Sequence, residues 1–178
     1  MSGKGSRQRP INRKRFCENY DRIFKRTPRM DRKAVFEQLK KDEGVVYSIY
    51  EDHLGYPTFG VGHLITKNDP EWEQPVGTPV SEERVWQAFE EDLETSIFEC
   101  EILYGSSRFR TWPGEVQEVL VNMMFNMGRP RLSKFVKFQA ALNGSDWKRA
   151  AKEGRDSLWY NQVKNRAERL MSRLEKVS

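Results

Sequence analysis

The spacing of apolar residues changes period twice along the chain, and this order constrains the fold more than any other feature. Residues 31–42 place their apolar side chains at helical spacing, and this pattern stops before Gly44. Residues 46–64 are rich in β-branched and aromatic residues on both sides of the turn Glu51–Gly55. From Ser81 almost to the C-terminus the spacing is helical again. A helix, a small antiparallel hairpin and then many helices predict an α+β fold with a larger helical lobe.

The helical part of the sequence divides into five predicted helices. Ser81 is a suitable N-cap for the first of them, which is expected to bury Val85, Phe89, Leu93 and Phe98. Gly128 is expected to end the second. The predicted helices cover residues 81–103, 111–128, 132–142, 147–155 and 165–176. Residues 68–79 are rich in proline and acidic residues and are predicted to form a loop.

Positive charge is concentrated at the N-terminus. The net charge is +5, but residues 1–33 hold twelve Lys/Arg and three acidic residues, a charge of +9, which leaves −4 for the rest. Residues 1–12 have little to bury and are expected to be disordered. Residues 13–26 are expected to form a short amphipathic helix with Phe16, Tyr20, Ile23 and Phe24 on one face. We therefore divide the chain into an extension, 1–30, and one domain, 31–178, with a small lobe at 44–80.

The basic extension has two interpretations. It can bind an anionic polymer or surface, such as nucleic acid, a membrane or a bacterial cell wall. Alternatively, it is a solvated tail. The remainder is acidic and shows no basic helical face, so nucleic-acid binding is not expected of it.

Membrane insertion, secretion and a metal site are not expected from the sequence. No apolar run approaches the roughly 18 residues that span a bilayer. The basic N-terminus is not followed by the apolar segment of a signal peptide, which predicts synthesis and folding in a cytoplasm. Cys17 and Cys100 lack metal-ligand spacing; free thiols are expected, with a bridge between them as the alternative.

Three polar residues near the predicted hairpin suggest an active site. Glu43 is predicted at the C-terminal end of its helix, where the exposed carbonyls favour the neutral carboxyl group and so raise its pKa. Asp52 is in the turn and Thr58 on the return strand, and each alone has an ordinary structural explanation. Together they place two carboxyl groups and a hydroxyl around one groove, as glycoside hydrolysis requires.

The histidines and glycines of the hairpin have more ordinary interpretations. His53 and His63 lack the further ligands that a metal site would need. His63 is expected to pair with an acidic residue on a neighbouring helix. The G-V-G at 60–62 lacks the lysine and the following helix of a phosphate-binding loop.

Four separated blocks then occur in a fixed order. They are L-K-K-D-E-G at 39–44, Y-E-D-H-L-G-Y-P-T-F-G-V-G-H-L at 50–64, N-M-M-F-N-M-G at 122–128, and W-Y-N-Q with N-R-A at 159–167. In this order they resemble the T-even phage lysozyme family over residues 34–174. The resemblance implies a lysozyme-like α+β fold in which a long helix joins a small lobe to a larger helical lobe.

The resemblance also implies roles for individual residues. Glu43 would be the general acid, Asp52 would support the attacking water or the developing positive charge, and Thr58 would position that water. Because the family inverts configuration, the two carboxyl groups should stand roughly 6.5–9.5 Å apart. His63 would pair with Asp92. The positions that match substrate-binding residues are Leu64, Phe125, Asn126 and Arg166. Arg166 would also approach Glu43 and lower its pKa, against the effect of the helix end.

The chain departs from the family pattern at several positions. Leu54 replaces a residue that is often acidic, and Phe138 and Glu153 differ in chemical type from the cleft residues with which they align. The loop 67–80 is shorter than usual. The sequence also stops near Val177, before the last short helix of the family, and the apolar face of segment 13–26 is expected to fill part of that gap.

The predicted function is that of a muramidase acting on peptidoglycan strands, with no cofactor and no metal. The enzyme is expected to be a monomer unless it belongs to a virion, and to act at the bacterial wall after cytoplasmic synthesis. The competing hypothesis is a wall-binding or virion structural module that kept the fold and lost activity. The presence of Glu43, Asp52 and Thr58 together argues against that hypothesis.

Overall fold

The computed structural model describes residues 30–178; the predicted disordered segment 1–12, the predicted helix 13–26 and Cys17 lie outside these residues. Seven helices and one three-stranded antiparallel sheet are found within residues 30–178, which confirms the α+β prediction. In chain order the elements are α1 (Arg32–Glu43), β1 (Val46–Glu51), β2 (Pro57–Gly60), β3 (His63–Leu64), α2 (Glu82–Tyr104), α3 (Ser106–Thr111), α4 (Gly114–Leu132), α5 (Val136–Asn143), α6 (Trp147–Arg155) and α7 (Leu158–Glu175).

Helix α1 begins and ends at the signals that the sequence carries. The Asp31 side chain caps its N-terminus by accepting hydrogen bonds from the backbone N–H groups of Lys33 and Ala34. Gly44, with φ of +80°, ends it and donates its N–H to the carbonyl of Lys40 at 3.0 Å. Glu43 is therefore the last residue of α1, as predicted.

The hairpin forms as predicted, but its return segment is two strands instead of one. Strand β2 pairs with β1, with Tyr50 opposite Thr58, and β3 pairs with β2, with Leu64 opposite Thr58. Gly60 and Gly62 have φ of +64° and +80°, so the backbone turns between β2 and β3. Residues 65–80 then lead to α2 through turns and one isolated bridge between Ser48 and Pro79.

The long helix α2 begins at the predicted N-cap, Ser81, which accepts the N–H of Arg84. Its buried face includes Phe89, Leu93, Ser96 and Cys100, which follow steps of three or four residues. The prediction that Phe98 is also buried is wrong: Phe98 is 61% exposed. It comes five residues after Leu93, and this spacing turns it away from the buried face.

Helix α4 packs against α2 and α7, and its Val119, Leu120 and Met123 are fully buried. Gly128, with φ of +70°, is non-helical, so the first helical segment of α4 ends there as predicted, and a second short segment continues after the kink to Leu132. Helix α3 was not predicted. Helix α5 begins at Val136 instead of residue 132. In α7 the non-helical backbone of Lys164 separates two helical segments, so one segment begins at residue 165 as predicted, and the segment between the Ser157 N-cap and Lys164 was not predicted. Helix α6 has the predicted bounds.

Candidate active site

Glu43 lies where α1 meets α4 and α7, and its side chain is 32% exposed. Both donors that bind it reach the same oxygen. The Arg166 guanidinium makes a close ion pair with Oε1, and Asn126 Nδ2 lies 3.3 Å from Oε1. Within residues 30–178, Glu43 Oε2 accepts no hydrogen bond. One oxygen is therefore fixed by the protein while the other is available to a ligand.

The preceding residue, Asp42, faces the interior, and its side chain is 0% exposed. Arg169 forms a close ion pair with it, and Arg166 Nε lies 3.6 Å from its Oδ2. Asn122 donates to Asp42 at 3.3 Å and accepts from Arg166 Nε at 3.0 Å. Consecutive carboxylates of α1 thus have opposite surroundings, one in a buried polar network and one at the surface.

Trp159 fixes the orientation of the Asn126 side chain. The indole N–H can only donate, and it lies 2.9 Å from Asn126 Oδ1. The amide NH₂ group is then turned toward Glu43 Oε1. Trp159 is within a block quoted from the sequence, but no periodicity or spacing indicated that it would orient the neighbour of Glu43.

The hairpin turn holds Asp52 through the backbone. Its Oδ1 accepts the N–H groups of Leu54 at 2.8 Å and Tyr56 at 2.9 Å. These hydrogen bonds, that from Tyr56 above all, lower the pKa of Asp52 because they favour the ionised carboxylate. Asp52 is therefore an anion at neutral pH, with Oδ2 not engaged by the turn.

Thr58 is buried, and its hydroxyl donates to the carbonyl of Tyr56 at 3.0 Å. Because that proton is committed, the lone pairs of Thr58 Oγ1 remain to accept a hydrogen bond. The partner of Thr58 in the register of β3, Leu64, is exposed beside it.

The Tyr50 side chain lies near both candidate catalytic carboxylates, Asp52 and Glu43. Burial raises the pKa of the Tyr50 phenol, and the negative charges of Asp52 and Glu43 raise it further. Strand β1 thus carries this ring within electrostatic reach of both carboxylates. The sequence analysis used Tyr50 only as part of a motif and gave it no role at the site.

A groove of about 910 Å³ extends over the helical lobe and reaches the site at Asn126. Its lining includes Trp159, Phe135, Phe138 and Glu153. Phe125, beside Asn126 in the chain, is partly buried and packs against Phe89 with ring centroids 6.1 Å apart. Of the predicted positions, the structure joins Glu43, Asn126 and Arg166 directly, and it places Thr58 and Leu64 on the sheet and Asp52 in the hairpin turn. Leu54 is exposed at the tip of the hairpin.

His63 lies between two carboxylates. Its Nδ1 is 2.9 Å from Asp92 on α2 and its Nε2 is 3.1 Å from Asp69 in the following loop. Asp69 also accepts from Arg84 at 2.9 Å, which ties the loop to α2. Burial lowers the pKa of His63, but the hydrogen bonds and charges of Asp92 and Asp69 raise it by more. The pKa of His63 is therefore raised above its ordinary value.

The raised pKa of His63 predicts a stability that depends on pH. The folded state favours the protonated ring, so this stabilisation is complete below about pH 6.5, the ordinary histidine pKa, and is lost as pH rises through the higher folded value. We expect His63→Asn to lower the melting temperature more at about pH 5.5 than at about pH 9. His53→Asn is the matched control, because His53 is exposed in the turn. If His63→Asn lowers the melting temperature equally at both pH values, the protonated His63 ring does not stabilise the fold through Asp92 and Asp69.

A metal-binding cluster and a membrane-spanning helix are both absent from residues 30–178. No three His, Cys, Asp or Glu side chains in this part of the chain are grouped to hold a metal ion. None of its helices is both long and apolar enough to cross a bilayer. Cys100 is a buried free thiol whose pKa is raised by burial.

Comparisons with known proteins agree over most of the chain. The family model described as phage lysozyme matches residues 40–176. The chain is 35% identical over 161 residues to the pre-baseplate central spike protein Gp5 of Enterobacteria phage T4; the match covers 77% of this chain but 27% of that protein. It is 31% identical over 162 residues to the probable T4-type lysozyme 2 of Dictyostelium discoideum, which covers 80% of this chain and 94% of that protein. The matched range of the family model includes every site residue described above.

Proposed function

Because the chain belongs to the phage lysozyme family, we propose that it is a muramidase. It hydrolyses the β-1,4 bond between N-acetylmuramic acid and N-acetylglucosamine in bacterial peptidoglycan. The observation that supports this most directly is the arrangement of Glu43. Its Oε1 is held by Arg166 and Asn126 while Oε2 has no partner within residues 30–178.

In this proposal Glu43 is the general acid. The two donors both engage Oε1, so the proton of the neutral carboxyl group is carried by Oε2. That proton passes to the glycosidic oxygen as the bond to the leaving sugar breaks. Trp159 contributes by holding the Asn126 amide in the orientation that donates to Oε1.

Asp52 and Thr58 act on the opposite side of the sugar ring. The backbone hydrogen bonds that lower the pKa of Asp52 keep it ionised, so it can accept a proton from water or stabilise the positive charge of the transition state. Thr58 Oγ1, whose own proton is committed to Tyr56, accepts a hydrogen bond from the water and orients it. Attack by water opposite the leaving group inverts the configuration at the anomeric carbon.

The expected binding site for the glycan runs from the sheet to the helical lobe. Leu64 and Phe125 offer apolar surface to the sugar rings, and Asn126 lies between Glu43 and the groove. Leu54 puts an exposed apolar side chain at the tip of the hairpin, so sugar contact there differs from that of an acidic residue.

The products of hydrolysis test this proposal. With purified Gram-negative peptidoglycan we expect new reducing ends of N-acetylmuramic acid, and nuclear magnetic resonance should show the α-anomer first because the mechanism inverts. Reducing N-acetylglucosamine would show that a different bond is cut. A β-anomer formed first would mean that Asp52 acts as a nucleophile, which contradicts the proposed role of water.

The similarity to a central spike protein favours a second candidate for the biological setting. In that setting the same muramidase chemistry is carried by a virion and opens the wall during entry, instead of acting as a free lysis protein. Probing virions purified from cells that produce this chain, with an antibody to it, distinguishes the two. The catalytic assignment is the same in both.

A further inference from the structure

The outer surface of α2 carries large apolar side chains that face solvent. Phe98 is 61% exposed, and Ile102, one helical turn later, is 47% exposed. Beside Phe98 is a groove of about 450 Å³ lined in part by Met30 and Ile97. We call Phe98, Ile102 and this groove the α2 outer face. No segment within residues 30–178 covers it.

The same helix is strongly acidic. It carries eight carboxylates and one arginine. Glu94 and Glu101 line the groove, where Arg32 pairs with Glu94 and Arg110 pairs with Glu101. Arg129 pairs in the same way with Glu99. These three arginines offset only part of the negative charge of α2, which carries eight carboxylates. The α2 outer face is thus an apolar strip with acidic flanks, which favours a basic amphipathic partner.

The same chain contains a segment of this composition, directly before the described residues. Residues 1–29 hold ten Lys/Arg and two acidic residues. The described chain begins at Met30, which packs against the helical core and lines the groove. Position 26 is four residues from Met30 and so lies at most about 14 Å from it, which keeps position 26 near the α2 outer face.

The sequence of residues 13–26 complements that face. Its apolar side chains fall at positions 16, 20, 23 and 24, at helical spacing, among six Lys/Arg. An apolar strip with basic flanks would therefore meet an apolar strip with acidic flanks. The short tether gives the segment a high effective concentration at this face, so modest affinity is enough.

We propose that residues 13–26 dock on the α2 outer face of their own chain. In the docked state the apolar strip covers Phe98 and Ile102, and the basic side chains lie near the carboxylates of α2. The basic extension then serves as an intramolecular part of the helical lobe, not as an arm for an external polyanion. This proposal does not depend on the muramidase assignment.

Hydrogen–deuterium exchange of the full chain, read by mass spectrometry, tests the docking. In the wild type we expect amides of 13–26 to exchange on the order of tenfold more slowly than in the isolated peptide. Phe98→Lys combined with Ile102→Lys should remove this protection. Both side chains are exposed, so the body should stay folded, which circular dichroism checks. The control is Val76→Lys, at another exposed aliphatic residue, 59% accessible and in the loop before α2; it should leave the protection intact.

Three results would overturn the proposal. The first is exchange of 13–26 at the rate of the isolated peptide in the wild type. The second is protection that survives the double substitution, since the segment would then dock elsewhere. The third is protection that grows with protein concentration, which would mean that a second copy occupies the face. Protection that weakens as salt is added supports the predicted charge complementarity.

Discussion

Replacing Glu43 by glutamine is expected to lower the rate of peptidoglycan hydrolysis by about 10²–10⁴-fold, the usual contribution of a general acid. Glutamine keeps the size of the side chain and an oxygen that can accept from Arg166 and Asn126. It has no acidic proton to give to the glycosidic oxygen. Clearing of permeabilised Gram-negative cells, followed by turbidity, measures the effect.

A matched control lies on the same helix. Glu37 is exposed, and its carboxylate lies 3.8 Å from Lys40 in a surface pair. Glu37→Gln removes one negative charge from α1 at a distance from the site and should leave the rate within about twofold, because exposed pairs contribute little. If Glu43→Gln clears cells as fast as Glu37→Gln does, Glu43 is not the general acid.

The largest effect on stability is expected at the neighbouring residue. Asp42→Asn leaves Arg166 buried with one fewer carboxylate, and breaking a buried pair costs about 3–5 kcal/mol. Arg166 retains Glu43 as a partner, so we expect the lower end, about 3 kcal/mol. For a chain of this length that corresponds to a fall in melting temperature of roughly 6–12 °C. Urea unfolding measures the free-energy change directly.

The control for Asp42→Asn is a substitution that breaks an ion pair at the surface. Glu99 pairs with Arg129, and both side chains are substantially exposed. Glu99→Gln should cost less than about 1 kcal/mol because solvent screens the pair. Equal effects of the two substitutions would mean that the network around Asp42 does not hold α1 against α4 and α7.

The parts of the fold that the sequence predicted are those with local signals. Helix α1 was predicted within a residue because Asp31 and Gly44 mark its ends. The hairpin was predicted from its turn. The burial of Phe98 was predicted wrongly, because its five-residue step from Leu93 departs from the three- or four-residue spacing of the buried face.

The candidate site was also predictable only in part. Glu43, Asp52 and Thr58 were chosen from their types, their spacing and a family resemblance. The environment of Asp42 depends on Asn122 and Arg169, which are 80 and 127 positions away in the chain. Long-range contacts of this kind leave no periodic signal, and the same holds for the bond between Trp159 and Asn126.

The opposite surroundings of Asp42 and Glu43 affect how such a protein can lose its activity. Selection for folding alone preserves Asp42 and Arg166, and with them the buried network that holds the end of α1, where the proposed catalytic residue Glu43 lies. A descendant that only had to bind cell wall would therefore keep the network of Asp42 and Arg166, while substitutions could accumulate at Glu43. Asp42 would then be retained by selection for folding, whereas Glu43 would be retained only where selection for catalysis continued.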